Sequence, residues 1–141
     1  MKDHNYLASH TSYQIIDKEN KKIAIRSARN FYEVEDLLYS CDIGLSTIII
    51  KKNIFSKNIK FPDTKTKEDF ILWLKLLKKK IPIIGLDKKL TYWRKLENSL
   101  SSSIIQKIFD GFKVYYIYMN YSFFKSVCSL FYLSINFLKK N

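Results

Sequence analysis

A polar, cationic loop, Thr64-Lys-Thr-Lys, runs directly into two adjacent carboxylates, Glu68 and Asp69, and then into the apolar run Phe70-Ile-Leu-Trp-Leu-Lys-Leu-Leu. Phe70, Trp73, Leu74 and Leu77 stand at i, i+3, i+4 and i+7, the spacing of a helix face that must be buried. The spacing predicts a helix over 67–79, closed by Lys78-Lys79-Lys80, whose charges complement the dipole at its C-terminal end. Acidic side chains at the mouth of such a helix are either a cap or a working base. Thr66 and Asp69 fit the capping-box spacing, in which each side chain accepts the other's backbone amide. The same Asp69, held rigidly at a helix N-terminus, could take a proton from a bound substrate. Both readings stand on the residues alone.

The elements upstream read as short. Thr11–Asp17 and the strand around Ile23 and Ile25, joined by the polar turn Lys18–Lys22, predict a β-hairpin over 11–26, with residues 1–10 loose. Asn30 followed by Glu33 suggests a helix start, and Val34, Leu37 and Leu38 its buried stripe, giving a helix over 31–40. Leu45–Lys51, after Gly44, is β-branched and reads as a buried strand. Lys52–Lys57 reads as a short helix, and Phe61–Lys67 as loop because Pro62 and the polar cluster forbid a regular element. Downstream of the central helix, Ile81–Leu86 reads as a strand starting near Pro82, and Leu90–Arg94 as another. Lys95–Ser103 is a Ser/Asn-rich loop.

From Ile104 the pattern changes to helical spacing. Ile104, Ile105, Ile108, Phe109, Phe112, Tyr115 and Tyr116 form one helix. A second helix, over 121–138, carries Phe123, Phe124, Val127, Leu130, Phe131 and Leu138. The uncharged run between Lys125 and Lys139 is shorter than the ~20 residues a spanning helix needs. This aromatic hairpin either covers the core or lies in a membrane interface.

The formal net charge is +12, from 25 basic and 13 acidic residues. It calls for an anionic partner: a phosphorylated metabolite, a membrane surface or a nucleic acid. Nucleic-acid binding has only the charge in its favour, with no helix-turn-helix or aromatic–basic motif beside it, and is not expected. The 16% aromatic content argues for a packed core. Cys41 and Cys128 have no CxxC spacing, and His4 and His10 do not complete a zinc set, so buried, reduced thiols in a cytosolic setting are expected. With glycine only at 44, 85 and 111 there is neither a Walker loop nor a GxGxxG. The N-terminal stretch lacks the charged-then-apolar pattern of a signal peptide.

In order along the chain, four segments resemble the C-terminal half of a family 2 glycosyltransferase of the GT-A fold, of the kind that builds bacterial surface polysaccharide. They are Thr11–Asp17, Gly44–Lys52, the Glu-Asp segment Lys67–Leu76, and Leu90–Ser101 with its Tyr-Trp-Arg and Asn-Ser-Leu-Ser. The resemblance covers about residues 9–139. It implies a mixed α/β fragment: an acceptor-side half of the domain over 1–102 and an aromatic helical hairpin over 103–141. It implies inverting sugar transfer from a nucleotide-sugar donor to a saccharide or lipid-linked acceptor, with Asp69 as general base and Glu68 beside it positioning acceptor or base. A low pKa would keep Asp69 ionised. Trp73 would wall the acceptor site. Arg94 would face the donor diphosphate, with Ser99 and Ser101 on a loop over it, and Ser46 and Thr47 would lie under the sugar. The family's divalent metal, Mg²⁺ or Mn²⁺, needs an Asp-x-Asp or Asp-Asp pair. The sequence has neither, since Asp36 and Asp42 are isolated. The resemblance therefore implies that the nucleotide-binding half lies outside this chain, as in a truncated or split enzyme. The expected location is cytoplasmic, with attachment at the inner face of the membrane as an option. The competing reading is a non-catalytic, basic, membrane-peripheral scaffold module.

Overall fold

The computed structural model describes residues 5–40, 42–96 and 104–139. Its sheet is built on one strand, β1 (Ala8–Ile16). On one edge β1 pairs antiparallel with β3 (Ile48–Ile50) along its first half, Ala8 opposite Ile50, and with β2 (Lys22–Arg26) along its second half, Tyr13 opposite Arg26. On the other edge β4 (Ile83–Arg94) runs parallel to β1 over its whole length. The sheet is therefore mixed.

The predicted β-hairpin is present, but β1 begins at Ala8, so the expectation of a loose stretch up to residue 10 fails there. Asp17 closes the turn by accepting the amides of Glu19 and Lys21 on Oδ1, a local bond that lets a short polar loop reverse the chain. The two strands expected at 81–86 and 90–94 are one, β4. Its register against β1 slips between Thr11 and Tyr13, whose partners are Leu86 and Thr91. A bulge of this kind absorbs the polar Asp87-Lys88 without ending the strand, and Asp87 accepts the Ser12 hydroxyl.

Two other expectations are shortened. The stretch Leu45–Lys51 is not one buried strand: Leu45–Thr47 is a 3₁₀ turn, Leu45 is exposed, and pairing starts only at Ile48. The Thr47 hydroxyl donates to Gly44 O at 2.7 Å, a local bond that competes with sheet pairing. Lys52–Lys57 reduces to a 3₁₀ turn at Lys52–Ile54. The helix expected at 31–40 is α1 (Val34–Leu38), and Asn30 is not its cap. Asp36 Oδ2 accepts the amides of Tyr32 and Glu33, while Asn30 Oδ1 accepts the Gly85 amide.

That last bond belongs to a segment, Ala28–Phe31, laid across the sheet. His10 Nε2 donates to Arg29 O at 2.8 Å, Ala28 N donates to Ser12 Oγ, and Phe31 exchanges both backbone bonds with Ile83. Polar residues on the inward side of β1 are thus the crossing segment's hydrogen-bond partners. Gly85 permits the approach, since a Cβ there would sit 2.6 Å from the Arg29 carbonyl.

The core sits around α2 (Glu68–Lys78), the predicted central helix. Beyond Phe70, Trp73, Leu74 and Leu77, the side chains of Ile71, Leu72 and Leu76 are also buried, so most of the helix surface is enclosed, with Glu68, Asp69, Lys75 and Lys78 the positions that reach solvent. Leu37, Leu38 and Ile43 pack with it from α1 and the segment after it, and Phe31 and Ile83 from the sheet side. Val114, Tyr115 and Leu133 join the same cluster from the C-terminal hairpin. Each such side chain contributes about 1.5–3 kcal/mol by leaving water. The hairpin comprises α3 (Ile104–Lys113), a π-helical turn at Val114–Tyr118, and α4 (Phe123–Lys139). Tyr115 OH donates to Leu38 O at 2.7 Å, which pins that turn to α1. Cys128 is free and exposed on α4, which corrects the expectation of buried thiols for that residue; Cys41 lies outside the described residues.

Candidate active site

The loop before α2 is held from the far end of the chain. Thr66 donates both its amide (3.0 Å) and its hydroxyl (2.8 Å) to Asp110 Oδ2 on α3. Gln106 Nε2 donates to the same oxygen at 2.9 Å, and Lys113 Nζ lies 3.4 Å from Oδ1. The Asp110 carboxyl is closed off from solvent. Burial pushes its pKa up, but the bonds from Gln106 and Thr66 and the nearby Lys113 outweigh burial and hold it below the ordinary carboxylate value.

This arrangement replaces the expected capping box. An ionised, buried acceptor takes both Thr66 donors, so the Thr66–Asp69 exchange does not form. The N-cap is Lys67, in the left-handed region at φ 67°, ψ 10°. A lysine there carries about 1–3 kcal/mol of backbone strain, which persists only where the surroundings over-determine it. The chain then enters α2 with Glu68 and Asp69 in its first turn.

Asp69 is half-buried, and its Oδ1 accepts the Phe70 amide at 2.7 Å. Burial pushes its pKa above the usual carboxylate value, and the neighbouring Glu68 charge adds to that. The Phe70 amide and Lys67 act the other way without reversing it. The expected low pKa is thus corrected in direction. A raised carboxyl is the better proton acceptor, because base strength is matched more closely to neutral operating pH.

The other candidates are dispersed. Trp73 is 0% exposed and lies in the core, its Nε1 without a hydrogen-bond partner among the described residues, so it presents no ring face to solvent. Arg94 closes the β1–β2 turn: its guanidinium donates to the carbonyls of Asp17 and Lys18 and to Asn20 Oδ1. Ser46 is exposed in the 3₁₀ turn and Thr47 is buried beneath it. Ser99 and Ser101 lie outside the described residues. One hollow of about 530 Å³ opens between Asp63–Lys65 and Gln106, Phe109, Asp110 and Lys113 of α3. A second, of about 330 Å³, lies at Ile16, Asn20, Tyr92 and Arg94. Asp69 lines neither.

Among the described residues no three His, Cys, Asp or Glu side chains converge to hold a metal ion. The described donor set does not fit the divalent metal that the resemblance implies.

Asp110 was missed by the reading of the sequence. Its signal is there: it is the single acid between Ile104 and Lys139, placed off the apolar stripe of its own helix.

Comparison with curated proteins relates part of the chain to glycosyltransferases. An uncharacterized glycosyltransferase of Rickettsia bellii is 29% identical over 94 residues, 64% of this chain and 13% of that protein. Its counterpart in Rickettsia felis is 32% identical over 94 residues, 64% of this chain and 15% of that protein. A protein of Bacillus subtilis named for glycosyl transfer in teichuronic acid biosynthesis, TuaG, is 33% identical over 69 residues, 49% of this chain and 27% of that protein. The matched segment thus spans a small part of each relative. No family model matches the chain, and no solved structure matches it.

Proposed function

We propose that this chain is the acceptor-side portion of an inverting, family 2-type GT-A glycosyltransferase that works in cell-surface polysaccharide synthesis. The observation that carries the reading is Asp69: a carboxylate at the mouth of the most enclosed helix of the molecule, its pKa raised by burial. The relatives named as glycosyltransferases support the general class.

In this reading Asp69 takes the proton of the acceptor hydroxyl. The acceptor oxygen forms its bond to the anomeric carbon of the donor sugar as the bond from that carbon to the nucleotide diphosphate breaks, and the diphosphate leaves with the electron pair. Glu68 positions the acceptor or keeps the pKa of Asp69 up through its charge. The donor diphosphate and its divalent metal belong to a nucleotide-binding portion that supplies the missing acidic pair. Arg94 reaches a diphosphate only by giving up its bonds to the β1–β2 turn. Asp110 acts through the loop: by fixing Thr66 it fixes the backbone from which Asp69 projects, and it is a positioning residue.

The test is sugar transfer from UDP- and GDP-sugars with Mn²⁺ or Mg²⁺ by the chain combined with a nucleotide-binding portion, and by the same assembly carrying Asp69→Asn, with donor binding followed by calorimetry. Loss of turnover by about 10²–10⁴-fold with donor binding retained is the expected result for a general base. Unchanged turnover in Asp69→Asn would remove Asp69 from the chemistry. The chain alone should bind donor poorly, and tight donor binding by the folded chain alone would overturn the division into two portions.

A further inference from the structure

Beyond Val114, Tyr115 and Leu133, which enter the core, the C-terminal hairpin turns many of its apolar residues outward. On α3, Ile105, Ile108 and Phe109 share one face and are exposed, Ile105 by 70%, while Asp110 and Gly111 face the protein. On α4 the stripe Phe124, Val127, Phe131 and Leu138 is exposed, Phe124 by 82% and Phe131 by 65%, and the inward side is Ser126, Ser129 and Leu133. The helices approach closely at Gly111, where a Cβ would lie 2.7 Å from Leu130 Cδ1. Aromatic contacts carry the apolar surface across both helices: Tyr116 to Phe112 at 5.3 Å, Phe112 to Phe123 at 5.7 Å, Phe123 to Phe124 at 5.8 Å. A helical pair serving only as a lid would put Phe and Ile inside and Asp and Ser outside. A continuous outward apolar surface marks a contact with something else.

Charge identifies what that is. From Ile104 to Lys139 the charged residues are Lys107, Lys113, Lys125, Lys139 and Asp110. Asp110 is buried and taken up by Thr66, Gln106 and Lys113, so the outward charge of the hairpin is wholly positive. Lys125 Nζ lies 3.9 Å from the centroid of the Tyr121 ring, a lysine beside an aromatic at the edge of the apolar stripe. Among the described residues no helix is long and apolar enough to cross a membrane. Aromatic and aliphatic side chains rimmed by lysines, on helices too short to span, match the interface of an anionic lipid leaflet. A second copy of this chain would set like charges against each other.

We propose that the α3–α4 hairpin is a membrane-docking element that lies in the plane of an anionic bilayer surface, with Phe109, Phe124 and Phe131 among the side chains entering the headgroup–acyl boundary. The proposal stands apart from the sugar-transfer reading. Where that reading holds as well, the Asp110–Thr66 bonds join the docked hairpin to the loop in front of Asp69 and set its height above the lipid, which suits a lipid-linked acceptor.

The test is flotation of the full chain with vesicles of phosphatidylcholine alone and of phosphatidylcholine with phosphatidylglycerol, at low and high salt. Binding to the anionic vesicles, weakened by salt and at least about tenfold weaker on phosphatidylcholine alone, is expected. Phe124→Ser with Phe131→Ser should reduce partition by at least about tenfold, while Tyr92→Ser, exposed on β4, should not. Both phenylalanines are exposed, so the double variant should melt with the parent. Cys128 sits one helical turn after Phe124 in the same stripe. Carrying an environment-sensitive dye in a Cys41→Ser background, it should shift to the blue on anionic vesicles and be quenched by brominated lipid. Undiminished binding by the double variant, or a bound chain whose dye stays in water, would overturn the proposal. So would failure to float in a chain that sediments as a dimer and is made monomeric by the double variant; the face would then belong to a second copy.

Discussion

The helix α2 and the helix α4 are made of similar material and used in opposite senses. Both are rich in large apolar residues at helical spacing, yet α2 buries Phe70, Trp73 and Leu77, whereas α4 exposes Phe124, Phe131 and Leu138. The polar groups are inverted too. At α2 the carboxylates stand at the mouth; in the hairpin Asp110 is buried and its neighbours Ile108 and Phe109 are out. Apolar periodicity therefore says that a helix has one greasy face but not which neighbour that face meets. Small residues decide the matter locally. Gly111, Ser126 and Ser129 let α3 and α4 approach one another and the protein on their thin sides, which leaves the bulky sides outward.

Truncating one large side chain in each helix puts the contrast at its sharpest. Phe70→Ala should cost about 3–5 kcal/mol, the cavity and transfer terms acting together in an enclosed core. Phe124→Ala should stay within about 0.5 kcal/mol, as for surface changes in general. Denaturant unfolding of the two variants measures both. Equal losses would mean that α4 is covered by other parts of the chain and would erase the contrast.

The same contrast marks what could be read from residues alone. The β1–β2 hairpin, the central helix and the helical pair were legible because each has a local signal: a polar turn between β-branched runs, or apolar residues at i, i+3 and i+4. The continuous β4 was not, because Asp87-Lys88 looks like a turn until β1 is there to absorb it as a bulge. The exposure of Leu45 was not, because the Gly44–Thr47 bond that makes the 3₁₀ turn competes with a strand signal of similar strength. At the site, the helix mouth and its two acids were plain. Asp110 was not, since its partner Thr66 is 44 residues away and only the fold brings them together.

The next largest effect should come from the buried acid rather than the aromatics around it. Asp110→Ala leaves the Thr66 amide and hydroxyl without their acceptor and should cost about 2–3 kcal/mol. The sign with pH follows from its lowered pKa. The stabilising contribution is fully present above the unfolded value, 3.8, and is lost as pH falls through the folded value. Melting curves of parent and variant should accordingly converge below pH 3.8. A gap that persists in strong acid would assign the loss to packing instead. His10 works in a higher window. Burial lowers its pKa against the pull of the Arg29 carbonyl and of Asp42, so the fold favours the neutral ring. Stability should fall as pH drops below the ordinary value, 6.5, and His10→Gln, able to keep the donor to Arg29 O, should flatten that slope.

The smallest effect separates a structural acid from a base at Asp69. Burial raises the pKa of this carboxyl, so its favourable contribution to folding is present below the unfolded value, 3.8, and is lost as pH rises through the folded value. At neutral pH the native state therefore holds a charge it would rather not carry. Asp69→Asn removes that charge while its side-chain oxygen can still accept the Phe70 amide. The variant should melt at the same temperature as the parent in acid and slightly above it at neutral pH, while turnover by the assembly with the nucleotide-binding portion collapses. Stability given up for a poised carboxylate is the mark of a working group. If the variant instead melts lower at neutral pH, the charge is stabilising the helix N-terminus through the dipole and the Phe70 amide, and Asp69 is a structural acid rather than a base.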